Sequence, residues 1–479
     1  MSIEEASQEQ AAKKAKMDKY VAITSRLGWR DVAKGRECFT MTGKDGLKQW
    51  GSIFMPRNKT DAVDIWKRFV PKEMLDRLIK EFNEGNNVIG SRKGKKGVAR
   101  YDKHLILDER KALQAFAVYI YICAKQEKPS EVRKNGKFRR RKVTEALEFF
   151  RSKHTDVDKK MISGRETIEI LISRMLFSMD YTKDLSENFR SVVDSVGQHA
   201  AGDEKLFHFT GDSPFIRLVP AKPGKVGLWF YELCCYVVAD GQRLPFMLDF
   251  YMHSNVDGSI PVQSVVERWT DSIKQIESQT TLPRDADDHK TWLIFDSYYT
   301  TSEVRSWLIQ RGQRFIGSAK PDRFNPERYM IHRDGVGDKQ GEWKSLYNNV
   351  TKEVFTYHYD TQKGVGKKYC VSWGLNRADS KPAIKSHEHR IPAYSYYKNM
   401  FDVCDQFNRG LHDRQWPHKR GGSGISGDQG CHHDFVMAVV MQNLRNAWLS
   451  VNQATPSEHS FEDLMIELAS DLLIESVDL

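Results

Sequence analysis

The stretch "TWLIFDSYYTTSEVRSWLIQRGQRFIGSAK" (residues 291–320) decides the fold class of this chain. Its apolar run "WLIF" predicts a buried strand, a helical pattern follows, and a second apolar run closes the stretch. Strand, helix and strand in this order predict a right-handed crossover between parallel strands. Asp296 comes directly after the first strand, at the end where open α/β sheets carry their functional groups.

Two runs upstream predict further strands of the same sheet. "VGLWFYELCCYVVAD" (226–240) and "RLPFMLDFYM" (243–252) are rich in aromatic and β-branched residues and are joined by the turn "ADGQ". The adjacent Cys234 and Cys235 point to opposite faces of a strand, so we interpret both as core residues. Strands that alternate with helices predict a mixed α/β sheet.

The rest of the chain divides around this sheet by composition. Apolar residues at three- and four-residue steps predict helices before it, and Gly-rich turns between alternating residues predict a small antiparallel module after it. The expected domains are a flexible segment (1–35), a helical region (36–195), an α/β domain in two parts (196–320 and 391–454), a β-rich insertion (321–390) and an acidic tail (455–479).

The charge pattern indicates a polyanionic partner. The 479 residues carry a net charge of +10, yet the tail from Thr455 holds seven acids and no Lys or Arg, so residues 1–454 carry +17. Two basic runs, 91–104 and 133–142, favour contact with a nucleic-acid backbone or nuclear import over a merely solvated loop. The bases that we expect to touch DNA there are Arg92, Lys93, Lys95, Lys96, Arg139, Arg140 and Arg141.

Composition also excludes several classes of protein. With 40% hydrophobic and 11% aromatic residues the chain is globular, and its length predicts several domains. There is no run of about 18 apolar residues and no secretory signal, so we expect no membrane contact. Seven irregularly spaced cysteines favour a reducing compartment, either cytosol or nucleus.

The segment "YYKNMFDVCDQFNRG" (396–410) holds two acids in apolar surroundings. Asp402 and Asp405 share one face of a helix and repel each other unless a cation intervenes, although a cap or turn is an alternative reading. If Asp203 and Asp296 lie on neighbouring strands with this helix across them, the four carboxylates converge. Mg²⁺ suits such a cluster, since two ions held by carboxylates cleave phosphodiesters.

Four motifs then occur in the order found in one known family. They are "GDEKLFHFTG" with the following "KPGKVG", then "FDSYYTTSEV", then "MFDVCDQFNRG", and last "RQWPHK". Together they resemble the motifs of piggyBac-type transposases over roughly residues 36–450.

The resemblance implies an RNase H-like catalytic core interrupted by the β-rich insertion and preceded by an all-helical DNA-binding and dimerisation region. It implies that Asp203, Asp296 and Asp402 bind two Mg²⁺ ions, or Mn²⁺, with Asp405 in support. It also implies cut-and-paste cleavage and transfer of double-stranded DNA at transposon ends with a TTAA target, by a nuclear homodimer. Further DNA contacts are expected from bases within or beside the motifs: Lys222, Lys225, Arg414, Lys419 and Arg420.

The C-terminal part departs from the family. Many members end in a Cys-rich zinc domain, but no cysteine follows Trp448, and the adjacent Cys431, His432 and His433 lack the spacing of a zinc site, so no zinc is expected. The tail instead predicts a helix capped by Ser460 and Asp463, which packs on the body or binds a partner protein.

Three functions stay open at this level. The first is an active metal-dependent transposase, and the second is a domesticated DNA-binding derivative without transposition. The third, a phosphatase or kinase, is disfavoured because the chain lacks a Gly-rich phosphate loop.

Overall fold

The computed structural model describes most of the chain. The described residues are 29–31, 38–41, 50–53, 61–86, 105–125, 138–155, 161–209, 213, 215–220, 225–253, 260–279, 291–319, 343–348, 350–359, 367–374, 389–412 and 427–479.

Fourteen strands lie within these residues, and twelve of them form one sheet. The strands are β1 (Trp29–Asp31), β2 (Cys38–Met41), β3 (Trp50–Ile53), β4 (Val193–Gly197), β5 (His199–His208), β6 (Ile216–Leu218), β7 (Val226–Ala239), β8 (Gln242–Met252), β9 (Trp292–Phe295), β10 (Phe315–Ser318), β11 (Trp343–Asn348), β12 (Glu353–Tyr359), β13 (Lys367–Trp373) and β14 (His389–Pro392). The order in the large sheet is β1-β11-β12-β13-β10-β9-β5-β7-β3-β4, while β6 and β8 also pair with β7 and β14 pairs with β2.

Eleven helices lie within the described residues. They are α1 (Ala62–Phe69), α2 (Lys72–Asn86), α3 (Glu109–Ala124), α4 (Phe138–Lys153), α5 (Arg165–Arg174), α6 (Tyr181–Ser191), α7 (Val262–Gln279), α8 (Ser302–Gln310), α9 (Ala393–His412), α10 (Gly427–Asn452) and α11 (Phe461–Asp478). None of them combines the length and the apolar character that crossing a membrane requires.

The predicted crossover unit is confirmed. β9 is fully buried, α8 follows it, and β10 pairs with β9 in parallel. Thr301 caps α8 by accepting a hydrogen bond from the backbone N–H of Val304. On its other side β9 pairs in parallel with β5, so β9 is a central strand.

The predicted hairpin of β7 and β8 is confirmed as well. Both residues of its turn, Asp240 and Gly241, have positive φ angles of 44° and 73°. This is the turn geometry that matches the twist of two antiparallel strands. Cys234 and Cys235 on β7 are both fully buried, as predicted for core residues.

An ion pair with a buried carboxylate holds α7 against β8. Arg268 on α7 donates two hydrogen bonds of 2.8 Å to the carboxylate of Asp249 on β8. Ser272, one turn further along α7, donates to the same carboxylate at 2.9 Å. Because the Asp249 carboxylate is buried, these donors replace the water it loses on folding.

The helical region is not all-helical, and the first segment contains a strand. β2 and β3 lie inside residues 36–195, where only helices were predicted, and β1 lies inside residues 1–35. β3 pairs with β7 and β4, and β1 pairs with β11, so these short strands gain their backbone hydrogen bonds from the sheet. Runs of three or four residues carry too little periodicity to be predicted without their partners.

The predicted antiparallel module appears as β11, β12 and β13. Its strands do not form a separate sheet, because β13 also pairs with β10. The module therefore extends the edge of the α/β sheet.

The acidic tail packs on the chain itself. Ser460 accepts a hydrogen bond from the N–H of Asp463 at 3.0 Å, which confirms the predicted cap of α11. The predicted apolar stripe is buried in the common core with α3: Phe461, Leu464, Leu468 and Leu472. Lys125 just beyond α3 donates to Glu462 at 2.7 Å. The apolar face of α11, one predicted use of which was to bind a partner protein, is thus covered by this chain.

Candidate active site

Two neighbouring strands bring Asp203, in the middle of β5, beside Asp296, which directly follows β9. In the parallel ladder of β5 and β9, Gly202 lies opposite Phe295, and the next residue on each chain segment is an aspartate. The Oδ1 atom of Asp203 accepts from the N–H of Glu204 at 2.8 Å. The Oδ1 atom of Asp296 accepts from the N–H of Tyr298 at 2.6 Å. Each carboxylate is therefore held by a backbone N–H group close to it in the chain.

Alternation along β5 decides which face Asp203 occupies. A Cβ atom on Gly202 would lie 2.4 Å from the Trp269 ring, so Gly202 contacts α7 and no larger residue fits there. Two residues on, Glu204 accepts a hydrogen bond from the Tyr299 hydroxyl at 2.9 Å. Since successive strand residues point to opposite faces, Asp203 faces away from α7.

Helix α9 covers that other face. The Cys404 thiol donates to the backbone carbonyl of Ala201 at 3.3 Å. The Asn408 side chain donates from Nδ2 to Oε2 of Glu232 on β7 at 2.8 Å. Because Glu232 lies directly opposite Asp203 in the antiparallel ladder of β5 and β7, α9 reaches the level of the acid pair.

Glu232 is an acidic neighbour that the sequence reasoning missed. It is fully buried, and its charge contributes to a raised pKa of the Cys404 thiol. The main causes of that shift are a hydrogen bond with Cys234 and burial, with the Asp203 charge adding to it. The available signal was a single acid inside the otherwise apolar run "WFYELCC".

Asp402 and Asp405 lie in the middle of α9, so the reading of these acids as a cap or turn is wrong. At about 100° per residue, Asp405 lies roughly 100° and Asp402 roughly 160° around the helix from the packed Cys404. Asp402 accepts hydrogen bonds from Gln406 at 2.8 Å and Arg409 at 3.2 Å, both on its own helix. The positive charge beside Asp402 is thus supplied by the chain itself.

The donor set fits a divalent ion only in part. Carboxylate oxygens are the ligands that Mg²⁺ prefers, and Asp203 and Asp296 present two of them on adjoining strands. Within the part of the chain that the structure describes, no group of three or more His, Cys, Asp or Glu side chains is placed to hold one metal ion. Convergence of all four acids therefore stays a prediction.

Among the predicted DNA contacts, Lys225 is exposed at the turn before β7. Its φ angle is 49°, and its carbonyl accepts from the N–H of Val219 at 2.6 Å. Arg139, Arg140 and Arg141 belong to the first turn of α4, and their side chains lie outside the described residues. The other predicted contacts lie outside the described residues altogether: Arg92, Lys93, Lys95, Lys96, Lys222, Arg414, Lys419 and Arg420.

The cluster of Cys431, His432 and His433 is part of the packing between α10 and the segment before α6. The Phe177 N–H donates to Nδ1 of His433 at 3.0 Å, and Nδ1 of His432 lies 3.1 Å from the Phe177 carbonyl. All three side chains are buried. These contacts give both imidazole rings a structural role.

Comparison with known proteins informs on the fold. No protein-family model and no curated protein matches this chain. The chain is similar to a solved structure described as the cryo-EM structure of a piggyBac transposase synaptic complex with hairpin DNA, with a TM-score of 0.61 and 13% sequence identity. The match covers 90% of this chain and 84% of the other, so the chain has a piggyBac transposase-like fold.

Proposed function

We propose that this chain is a metal-dependent DNA transposase that cuts DNA at transposon ends and transfers the cut strands to a TTAA target. One observation carries the proposal: Asp203 on β5 and Asp296, directly after the adjoining β9, lie side by side in a piggyBac transposase-like fold. The end of a parallel strand such as β9 is where α/β sheets place their reactive groups.

The proposed metal ligands are Asp203 and Asp296, with Asp402 and Asp405 contributed from α9. Their oxygen donors suit Mg²⁺ or Mn²⁺. Bound there, a pair of divalent ions would activate the attacking hydroxyl and stabilise the leaving oxygen of a phosphodiester.

The protein groups have their own tasks in this proposal. The N–H groups of Glu204 and Tyr298 orient the carboxylates of Asp203 and Asp296. The Cys404 and Asn408 contacts hold α9 against the same strands. Lys225 and the predicted basic residues of the two basic runs neutralise backbone phosphates of the DNA. No covalent intermediate is needed, because the nucleophile is water or a terminal 3′-hydroxyl.

The proposal also includes the partner, the oligomeric state and the compartment. Double-stranded DNA is the partner, and the solved complex with a similar fold contains a transposase with hairpin DNA. We further propose a homodimer that acts in the nucleus, in line with the basic character of residues 1–454.

The alternative is a domesticated DNA-binding protein without transposition. It is favoured by the ion pair that already engages Asp402. In that case the fold and the positive charge serve DNA binding alone.

An Mg²⁺-dependent nicking assay separates the two proposals. The substrate is DNA with the terminal sequence of the element that encodes the chain, and Asp296→Ala is compared with Asp271→Ala, an exposed control on α7. We expect the wild type and Asp271→Ala to nick, and Asp296→Ala to be inactive. Equal nicking by all three would remove the assignment, and DNA binding without nicking by any of them would support the domesticated alternative.

A further inference from the structure

Lys205 on β5 is a buried base to which the proposed chemistry gives no task. Only 8% of the residue is exposed, although a lysine normally keeps its charge in water. A buried ammonium group loses its water on folding, so acids or other hydrogen-bond acceptors have to lie close to it. Acids that share its side of the sheet are therefore the groups that matter to it.

Alternation along β5 places Lys205 on the same face as Asp203. The two residues are two positions apart, and Phe207 follows at the same step. The Phe207 ring packs edge-on against Phe435 of α10, with the ring centres 5.3 Å apart. Phe230 lies opposite Lys205 in the ladder of β5 and β7 and stacks on the same Phe435 ring at 3.8 Å. The face that carries Asp203 and Lys205 is therefore covered by α10 as well as by α9.

A second acid on this face is Glu232. It lies directly opposite Asp203 in the ladder, and thus one step diagonally from Lys205. Directly opposed residues of antiparallel strands have Cβ atoms about 4.5–5.5 Å apart, and diagonal neighbours lie within reach of long side chains. Glu232 is fully buried, and the Asn408 amide donates to it at 2.8 Å. Asp203, Glu232 and Lys205 thus form one charged layer beneath α9.

The charged layer needs a positive charge even when no metal ion is bound. Two carboxylates that face each other across a pair of strands destabilise the fold unless a cation or a shared proton intervenes. The Asn408 amide donates a hydrogen bond but carries no charge. Lys205 is a base that the ladder brings within reach of both carboxylates, and its ammonium group halves the formal charge of the layer.

The same ammonium group repels a divalent ion at the acid pair. Charges interact more strongly in the protein interior than in water, because the effective dielectric constant is lower there. Lys205 therefore stabilises the chain without metal and lowers the affinity of the neighbouring Asp203 for a metal ion. Both effects express one coupling free energy between the lysine and the ion, and this coupling is reciprocal.

We propose that Lys205 is a positioning residue of the metal site: its ammonium group holds Asp203 and Glu232 together in the metal-free chain and sets the metal concentration at which the site fills. The proposal rests on the proposed function, because that function places a divalent ion at Asp203 and Asp296. A lysine with a purely structural role would stabilise the chain equally with and without metal.

The test measures Mn²⁺ binding to the full-length chain by electron paramagnetic resonance, which detects the free ion and needs no catalysis. The site that is counted is the one that Asp296→Asn removes. Lys205→Met replaces the ammonium group by an apolar side chain that is also long and unbranched. We expect this variant to bind Mn²⁺ at the counted site roughly 5- to 150-fold more tightly than the wild type, the usual range for coupling between two sites.

Two control variants separate charge from packing. Lys205→Met combined with Glu232→Gln removes one charge of each sign, so its Kd for Mn²⁺ should return to near the wild-type value. Lys80→Met removes a lysine side chain on α2 that is 73% exposed and should leave Kd unchanged. Thermal unfolding of each variant is measured with and without Mn²⁺. We expect Lys205→Met to lose more stability without the ion than with it, because the ion stabilises the chain that binds it more tightly.

The outcomes distinguish the role of Lys205 from the proposed function. If Asp296→Asn removes a Mn²⁺ site but Lys205→Met binds Mn²⁺ as the wild type does, the Lys205 proposal is overturned and the metal site stands. The Lys205 proposal is also overturned if this variant and its combination with Glu232→Gln both fail to fold with or without Mn²⁺, since packing then explains the residue. If the wild type has no Mn²⁺ site that depends on Asp296, both proposals are overturned. Tighter binding in Lys205→Met that the second substitution reverses supports the assigned role.

Discussion

The two pairs of acids in this chain are held in different ways. Asp203 and Asp296 follow matched residues of two parallel strands, so the hydrogen-bonded ladder sets their separation. Asp402 and Asp405 lie on α9, where their position depends on how the helix packs and turns. Asp402 already has Gln406 and Arg409 as neighbours on its own helix. Backbone pairing thus prepares one half of the proposed site, and helix packing governs the other half.

The difference between the two acid pairs is tested most strongly by removing one acid from each pair. We expect Asp203→Asn to lower Mg²⁺-dependent nicking by about 10²–10³-fold or more, because metal catalysis contributes several kcal/mol. Asp405→Asn should lower it by about 10–100-fold, the range for groups that support the metal ligands. Initial rates at saturating Mg²⁺ measure both. Equal losses would place Asp405 among the ligands themselves, and full activity of Asp203→Asn would contradict the proposed site.

The second effect concerns the contact that holds α9 to the sheet. Asn408→Leu leaves the fully buried Glu232 without the donor at 2.8 Å. We expect the free energy of unfolding to fall by about 1–3 kcal/mol, the cost of a buried polar group that loses its partner. Urea denaturation measures the change. Its control is Asn408→Leu in a Glu232→Gln background, where a smaller loss is expected, and an identical loss in both backgrounds would show that the contact is not coupled.

A third group of acids, around Asp471 on α11, shows how neighbouring carboxylates shift the pKa of one another. Burial, with the charges of Glu467 and Asp61, raises the pKa of Asp471 to about 6. A raised pKa means that the folded chain favours the protonated form. Its stabilising contribution is therefore present below the ordinary pKa of 3.8 and is lost as the pH rises through about 6.

Asp471→Asn should therefore stabilise the chain at about pH 8 and change little near pH 4. We expect a gain of about 1 kcal/mol at the higher pH, after discounting for solvent screening of this partly exposed group. Thermal unfolding at the two pH values measures it. The matched control is Asp478→Asn, at the exposed end of α11. If Asp471→Asn stabilised the chain equally at both pH values, the charge explanation would be contradicted.

The smallest effect belongs to the ion pair on α9. Arg409 is 70% exposed and Asp402 36%, so their contact at 3.2 Å is screened by water. Arg409→Gln should change the free energy of unfolding by about 0.2–1 kcal/mol. A loss well above this range in chemical denaturation would mean that the pair holds α9 in place.

The sequence predicts the local features of this fold better than the features that depend on distant partners. The crossover around Asp296 and the hairpin of β7 and β8 were predictable, because strand runs and turn residues are local signals. The short strands β1, β2 and β3 were not, since their partners lie far away in the chain.

The site shows the same limit. The position of Asp296 follows from where β9 ends, and the resemblance to piggyBac-type transposases pointed to both Asp203 and Asp296. The burial of Glu232 beside Asp203 and the direction of Asp402 depend on the packing of α9 against β5 and β7. Spacing along a helix tells which residues share a face, but it does not tell which face meets the sheet.

The central claim is that Asp203 on β5 and Asp296 at the end of β9 form a divalent metal site, and Mn²⁺ soaked into crystals of the chain tests it most directly. The anomalous scattering of manganese locates the ion without any need for catalysis. The account predicts a peak between the carboxylates of Asp203 and Asp296 that disappears in Asp296→Asn. Manganese bound only at other acids, or a peak that persists in the variant, would contradict it.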